Sequence, residues 1–105
     1  MDIIETPTFT RQIIEIMSDD EYSELQRVLI KKPDSGKIIR GSGGIRKLRW
    51  ASKGHGKRGG ARILYFWFVT PRKLLMLFAF PKNVQADLNH KQLKILKQLV
   101  QEEYT

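Results

Sequence analysis

Two apolar runs of seven residues each, separated by four residues, constrain the fold of this chain more than any other feature. The first reads ILYFWFV from Ile63 to Val69, and the second reads LLMLFAF from Leu74 to Phe80. Runs of this length are too short to cross a bilayer, and they are apolar on both faces, as is typical of central strands covered on both sides. Thr70-Pro71-Arg72 is short enough to join them as a hairpin. The sequence therefore predicts two neighbouring central strands, over 62–69 and 73–80.

Helical and strand patterns elsewhere complete the predicted fold. Thr6-Pro7 is typical of a helix cap followed by proline at the first helical position, and Ser18 followed by Glu21 matches a capping box. In chain order we expect a strand over 2–5, a helix over 7–17, a helix after Ser18 that Pro33 ends, a strand over 45–51, the two central strands, and a helix capped by Asn89. The order β-α-α-β-β-β-α implies an α+β fold, with a small, mostly antiparallel sheet, two N-terminal helices and one C-terminal helix. The 105 residues fit a single domain over 1–105.

The chain carries a net charge of +8, and its charges are unevenly distributed. Between Ser35 and Ala86 there is no Asp or Glu, whereas this window contains 12 Lys and Arg residues. A block of one sign this long favours a nucleic acid or another large polyanion as partner over an ordinary solvated surface. The chain has no cysteine, which excludes disulfides and thiolate metal sites, and its first residues do not resemble a signal peptide. We therefore expect a cytoplasmic protein with no membrane partner.

A cationic, glycine-rich segment, SKGHGKRGGAR from Ser52 to Arg62, leads directly into the first apolar run. Its glycines let the backbone turn freely and approach a partner closely, and its Lys and Arg side chains supply fixed positive charge. The spacing of its glycines and lysines does not match a nucleotide-binding Walker motif, so a nucleic-acid phosphate backbone is the better ligand. The residues expected to bind RNA are Lys53, His55, Lys57 and Arg58 in this segment, and Arg46 in the strand before it.

The basic window supports metal-free RNA cleavage better than metal-dependent hydrolysis. A metal site needs clustered carboxylate or imidazole ligands, and the window contains only His55. RNA carries its own nucleophile, the 2′-hydroxyl, so the protein must supply a base, an acid and stabilisation of the transition-state charge. Arg and Lys can stabilise that charge, and a Lys among other cations can also act as base or acid. The predicted catalytic residues are Arg62, Lys82, Lys47 and Arg49, with no cofactor; the base and the acid stay open, with His55 as a further candidate.

Three segments of the chain resemble the RelE/HigB group of bacterial type II toxins. They are GGIRKLR from Gly43, SKGHGKRGGARILYF from Ser52, and FPKN from Phe80 followed by Asp87-Leu88. The KGxGKRGGxR core is the specific part, and it is most similar to the HigB branch. The resemblance implies a RelE/ParE-like fold and a ribosome-dependent mRNA endonuclease, which enters the A site of the 30S subunit and cuts the codon there without a metal.

The resemblance also implies partners and site residues. The family's toxins are held inactive by a cognate antitoxin, often a helix-turn-helix protein, and contact operator DNA only in complex with it. By motif, the cationic strand residues of the family correspond to Lys47 and Arg49, the arginine of the next strand to Arg62, and the basic residue after the last core strand to Lys82. The segment that carries a tyrosine in RelE reads ADLN here.

Two alternatives to the nuclease are left open. A ParE-like toxin with the same fold would inhibit DNA gyrase, and a non-enzymatic protein would bind RNA or the ribosome without cutting. The cationic strands and the basic segment argue against the gyrase inhibitor, because binding gyrase requires no phosphate chemistry. The segment over 53–60 is longer than in RelE, and we expect it to dock on ribosomal RNA.

Overall fold

The computed structural model of this chain describes residues 1–51, 60–85 and 87–104. Residues 103 and 104 are described through their backbone only. Within these ranges the chain forms three helices and five strands. They are β1 (Asp2–Glu5), α1 (Pro7–Ile16), α2 (Asp19–Lys31), β2 (Lys37–Ile38), β3 (Arg46–Trp50), β4 (Ala61–Phe68), β5 (Lys73–Pro81) and α3 (His90–Tyr104). The predicted α+β class, the two N-terminal helices and the C-terminal helix are confirmed. The two-residue strand β2 is an addition that the sequence pattern did not predict.

The five strands form one sheet in the order β1-β5-β4-β3-β2. β1 runs parallel to β5, and the other neighbouring pairs are antiparallel. The predicted hairpin of the two apolar strands is confirmed as β4 and β5, whose register shifts at Leu64/Tyr65. These two strands are central, which explains why both of their faces are apolar.

Helices cover both faces of the sheet, and strand alternation decides which side chains each helix meets. α1 and α2 pack against one face, where Phe9 and Leu29 meet Ile63 and Tyr65. α3 packs against the other face, where Leu96 meets Leu64, among other contacts. Tyr65 is fully buried, so it belongs to the core and is not available to stack on a base.

The helices begin where the sequence predicts them to begin. The Thr6 and Ser18 hydroxyls accept hydrogen bonds from the backbone N–H groups of Phe9 and Glu21 at 3.0 and 3.2 Å. The Asn89 side chain caps α3 by accepting from Gln92 N–H at 2.8 Å. These caps satisfy donors that a helix cannot pair internally, and each contributes about 1 kcal/mol.

β1 pairs with only the first part of β5, from Lys73 to Met76. Beyond this point the side chain of Gln12 takes the place of a neighbouring strand, because its Oε1 atom accepts the Ala79 N–H at 2.8 Å. In the part of the chain that the structure describes, no helix is both long enough and apolar enough to cross a membrane.

Candidate functional site

Two arginines face each other on neighbouring strands at one end of the sheet. Arg49 of β3 and Arg62 of β4 are directly opposite in the antiparallel register. Opposite residues point to the same face with their Cβ atoms about 5 Å apart, and like charges in this position destabilise a sheet. Arg62 shares its face with Leu64, two residues along, so both arginines lie on the side covered by α3. The pair opposes folding locally, which favours a functional explanation for it.

Burial increases the energetic cost of this arginine pair. Arg62 is only 4% exposed, whereas Arg49 is exposed to solvent. Within the described part of the chain, the Arg62 guanidinium donates one hydrogen bond. Its acceptor is the carbonyl of the neighbouring Ala61, at a long 3.5 Å. Neither arginine has a carboxylate within ion-pair distance among the side chains of 1–51, 60–85 and 87–102. A buried cation with no carboxylate at ion-pair distance among the described side chains is costly for the fold.

Lys47, two residues before Arg49 on the same face, does have a counter-ion. Its Nζ atom lies 3.0 Å from Asp87 Oδ2, with the two side chains 25% and 58% exposed. The hydrogen bond from Lys47 lowers the pKa of the Asp87 carboxyl; burial opposes this effect, while the Leu88 N–H and the charges of Lys47 and Arg62 add to it. Asp87 is therefore ionised at neutral pH and holds the Lys47 ammonium over the sheet. No sequence pattern predicted this contact of Asp87.

Lys82 is exposed and directly follows β5. Its backbone N–H donates to the Gly60 carbonyl at 3.0 Å, which joins the end of β5 to the residue before β4. Arg62 lies two residues after Gly60, so Lys82 and Arg62 are at the same end of the sheet. The structure thus brings together the backbone positions of all four predicted catalytic residues, on β3, on β4 and at the end of β5.

A cleft of about 440 Å³ lies beside β3. In the described part of the chain, its lining residues are Ser35, Lys37, Lys47, Leu48 and Arg49. Three of these five side chains are cationic, so the cleft suits a phosphate-bearing ligand. In the sequence, Lys37 stands out only as a member of the acid-free window, because the strand that carries it was not predicted.

Arg46, predicted to bind RNA, is separated from this cleft by strand alternation. Its Nη1 atom donates to the Gly36 carbonyl at 2.8 Å, and its guanidinium lies 5.9 Å from the centre of the Trp67 ring on the α1 and α2 side. These contacts stabilise the chain between α2 and β2. The RNA-binding role of Arg46 stays a prediction. The other predicted RNA-binding residues, Lys53, His55, Lys57 and Arg58, lie outside the described residues.

Metal ligands were predicted to be absent from the site. Over 1–51, 60–85 and 87–104, no group of three His, Asp or Glu side chains is placed to hold a metal ion. That the protein works without a cofactor stays a prediction.

A comparison with protein families matches nearly the whole of this chain. The matching family is described as the RelE toxin of the RelE/RelB toxin–antitoxin system, and the match covers residues 1–104. It therefore includes all eight helices and strands described above, together with the four cationic residues at the end of the sheet.

Proposed function

The chain belongs to the RelE toxin family and is thus the toxin of a toxin–antitoxin system with an antitoxin partner; on this premise we propose that it is a ribosome-dependent, metal-independent mRNA endonuclease. The observation that carries the proposal is the Arg49–Arg62 pair, with Arg62 buried and no carboxylate beside either residue in the described chain. Two facing cations do not stabilise a sheet, whereas they can stabilise the negative charge of a phosphoryl transition state. Membership of the HigB branch stays a prediction.

The arginine pair would act on the charge that develops during cleavage. When the 2′-hydroxyl oxygen attacks the phosphorus atom, negative charge accumulates on the non-bridging oxygens, and the 5′-oxygen leaves. Guanidinium groups remain protonated throughout and can donate two parallel hydrogen bonds to such oxygens. Because Arg62 is buried, little rearrangement of water accompanies this stabilisation, which makes it stronger than at an exposed site.

Lys47 and Lys82 would complete the site from the two neighbouring strands. The Asp87 carboxylate orients the Lys47 ammonium through the 3.0 Å contact, so the ammonium is held on the same face as the arginines. Lys82 extends the row of cations beyond β5. We assign both lysines to contacts with the reacting phosphate, and His55 joins them as a candidate for proton transfer.

The proposed partners follow from the family and from the charge of the chain. We propose that the toxin enters the A site of the 30S subunit, where the segment over 53–60 contacts ribosomal RNA. A helix-turn-helix antitoxin would hold it inactive in the cytoplasm, and operator DNA would be contacted through that complex. The net charge of +8 supports binding to RNA but does not distinguish mRNA from ribosomal RNA.

The test is induction of the toxin without antitoxin, followed by mapping of mRNA 5′ ends. We expect growth arrest and breaks at codon-linked positions for the wild type, and at least a 100-fold loss of breaks for Arg62→Ala, comparable to the removal of one transition-state donor. Arg72→Ala is the matched control, since Arg72 is exposed at the opposite end of β4 and β5. DNA damage without mRNA breaks would support gyrase inhibition, and normal growth would support a non-enzymatic protein.

Arg62 is buried, so its substitution needs a folding control. Purified Arg62→Ala should keep the circular dichroism spectrum of the wild type and should unfold cooperatively on heating. Arg49→Ala removes the exposed partner of the pair, so it should disturb the fold less than Arg62→Ala. It should also lower cleavage. Full toxicity of both folded variants would contradict the assignment of the cut to this arginine pair.

A further inference from the structure

We propose that Lys37 on β2 and the backbone N–H of Arg49 form a second phosphate-binding site, which takes a phosphodiester of the RNA strand next to the one that is cut. This inference rests on the proposed function and extends it to a residue that neither the sequence pattern nor the resemblance identified. The ligand class is a single-stranded RNA backbone.

Strand register places Lys37 on the face of the sheet that carries Arg49 and Arg62. Lys37 and Lys47 are directly opposite in the antiparallel pair of β2 and β3, so both side chains leave the same face of the sheet. This like-charged pair lies two residues along β3 from the Arg49–Arg62 pair, about 7 Å away at the ordinary rise of a strand. The two pairs therefore form successive cationic rows, at a separation similar to that of neighbouring phosphates in an extended RNA strand.

The charges of the two lysines are not equally available. Lys47 forms an ion pair with Asp87 at 3.0 Å, and this carboxylate offsets one of the two positive charges in the row. Lys37 is exposed, and its ammonium has no carboxylate within ion-pair distance in the described segments. Lys37 therefore supplies the net positive charge of its row.

The edge of β3 offers a backbone donor beside Lys37. The Ile39 N–H donates to the Ile45 carbonyl at 2.8 Å, so Ile45 directs its backbone groups toward the β2 side. Backbone groups alternate along a strand, and Lys47 and Arg49 therefore direct theirs to the same side. β2 begins at Lys37, opposite Lys47, so among the described strands none pairs with Arg49 on this edge. The Arg49 N–H faces the cleft.

Ser35, on the other wall of the cleft, is not a ligand in this proposal. Its hydroxyl donates to the Lys32 carbonyl at 2.6 Å, which uses its only hydrogen. Ser35 limits the width of the cleft, whereas Lys37 and the Arg49 N–H supply the donors.

The position of Lys37 is fixed from inside the fold. The buried Tyr65 hydroxyl accepts from the Gly36 N–H at 2.9 Å and donates to the Pro33 carbonyl at 2.6 Å. From the same side, Arg46 donates to the Gly36 carbonyl at 2.8 Å. These bonds hold the backbone next to Lys37 before any ligand arrives, which lowers the entropy cost of binding.

The experiment measures kcat/KM for cleavage of mRNA on programmed ribosomes at several salt concentrations. We expect Lys37→Gln to lower kcat/KM at least about tenfold at low salt, as for one hydrogen bond to a charged group. Its plot of log rate against log salt should be shallower by about 0.7, the value for one lost phosphate contact on a single strand. Lys31→Gln, an exposed lysine on α2, is the matched control and should change neither quantity.

A second measurement locates the contact. The mRNA carries a single neutral methylphosphonate at each position flanking the cut in turn. The wild type should lose rate at one flanking position, and Lys37→Gln should lose nothing further at that position. If the wild type cuts but Lys37→Gln matches Lys31→Gln in rate, salt slope and methylphosphonate profile, the second site is wrong and the nuclease stands. If the wild type leaves ribosome-bound mRNA intact, the proposed function fails, and this site fails with it.

Discussion

Two polar clusters in this molecule are built in opposite ways. Between β1, α1 and α2, the Glu5 carboxylate accepts hydrogen bonds from Thr10 at 2.7 Å and from Tyr22 at 2.6 Å. At the other cluster, Arg49 and Arg62 face each other on neighbouring strands. No carboxylate among the described side chains lies within ion-pair distance of either arginine. The first cluster pairs its polar groups and joins three elements. The second places two like charges opposite each other, one of them buried, so it opposes the stability of the fold.

The largest expected effect separates activity from stability at the arginine cluster. Arg49→Thr should lower mRNA cleavage about 100-fold, because one donor to the transition state is lost. The same variant should be more stable by about 0.5 kcal/mol, since it removes like charges that face each other and places a β-branched residue in the strand. Cleavage on programmed ribosomes and urea unfolding of the purified toxin measure the two quantities. A loss of stability would mean that the pair supports the fold, contrary to the comparison.

The opposite pattern is expected at the Glu5 cluster. Tyr22→Phe removes the donor to Glu5 Oε2 and should lower the free energy of unfolding by about 1–2 kcal/mol. Cleavage should be unchanged, because Tyr22 contacts the α1 and α2 side of the sheet. Ser23→Ala, an exposed position on the same helix, is the control and should change neither property. A folded Tyr22→Phe variant without activity would show that the two clusters are coupled.

The smallest effect concerns the Lys47–Asp87 contact, which joins the segment before α3 to the face of the sheet that carries Arg49 and Arg62. The pKa of Asp87 lies below its ordinary value in the folded protein, chiefly because of the hydrogen bond from Lys47. A carboxyl whose pKa is lowered on folding stabilises the fold above its unfolded pKa, and this contribution is lost as the pH falls through the folded pKa. NMR titration of the Asp87 carboxyl should give a midpoint that moves up in Lys47→Gln. An unchanged midpoint would show that the contact does not persist in solution.

Much of the fold could be predicted because local patterns and tertiary structure agree. The apolar runs became β4 and β5, and Thr6, Ser18 and Asn89 cap the helices for which they were identified. β2 could not be predicted in this way. It has only two residues, both exposed, and it is placed by the buried Tyr65 hydroxyl and by Arg46, which come later in the chain.

The strands that carry the predicted site residues could be located from the sequence, whereas the pairings between these residues could not. The motifs and strand alternation identify Lys47, Arg49 and Arg62, since each lies on or next to an apolar strand. The register that sets Arg49 against Arg62 depends on how β3 aligns with β4, which no local pattern specifies. The contact between Lys47 and Asp87 joins residues 40 positions apart. Side-chain pairs of this kind arise from tertiary packing, so they become visible only in the structure.

Beyond Met76, the outer edge of β5 has no neighbouring strand among the described residues and is covered by other groups. This affects how the toxin behaves once it is separated from its antitoxin. A strand edge with free N–H groups is a template for adding another chain, and proteins with such edges tend to aggregate. Past Met76, the Ala79 N–H is already occupied by Gln12, and Pro81 has no N–H to offer. A second copy of the chain therefore finds little to pair with along this edge. The toxin without its antitoxin is thereby protected from self-association through this part of β5.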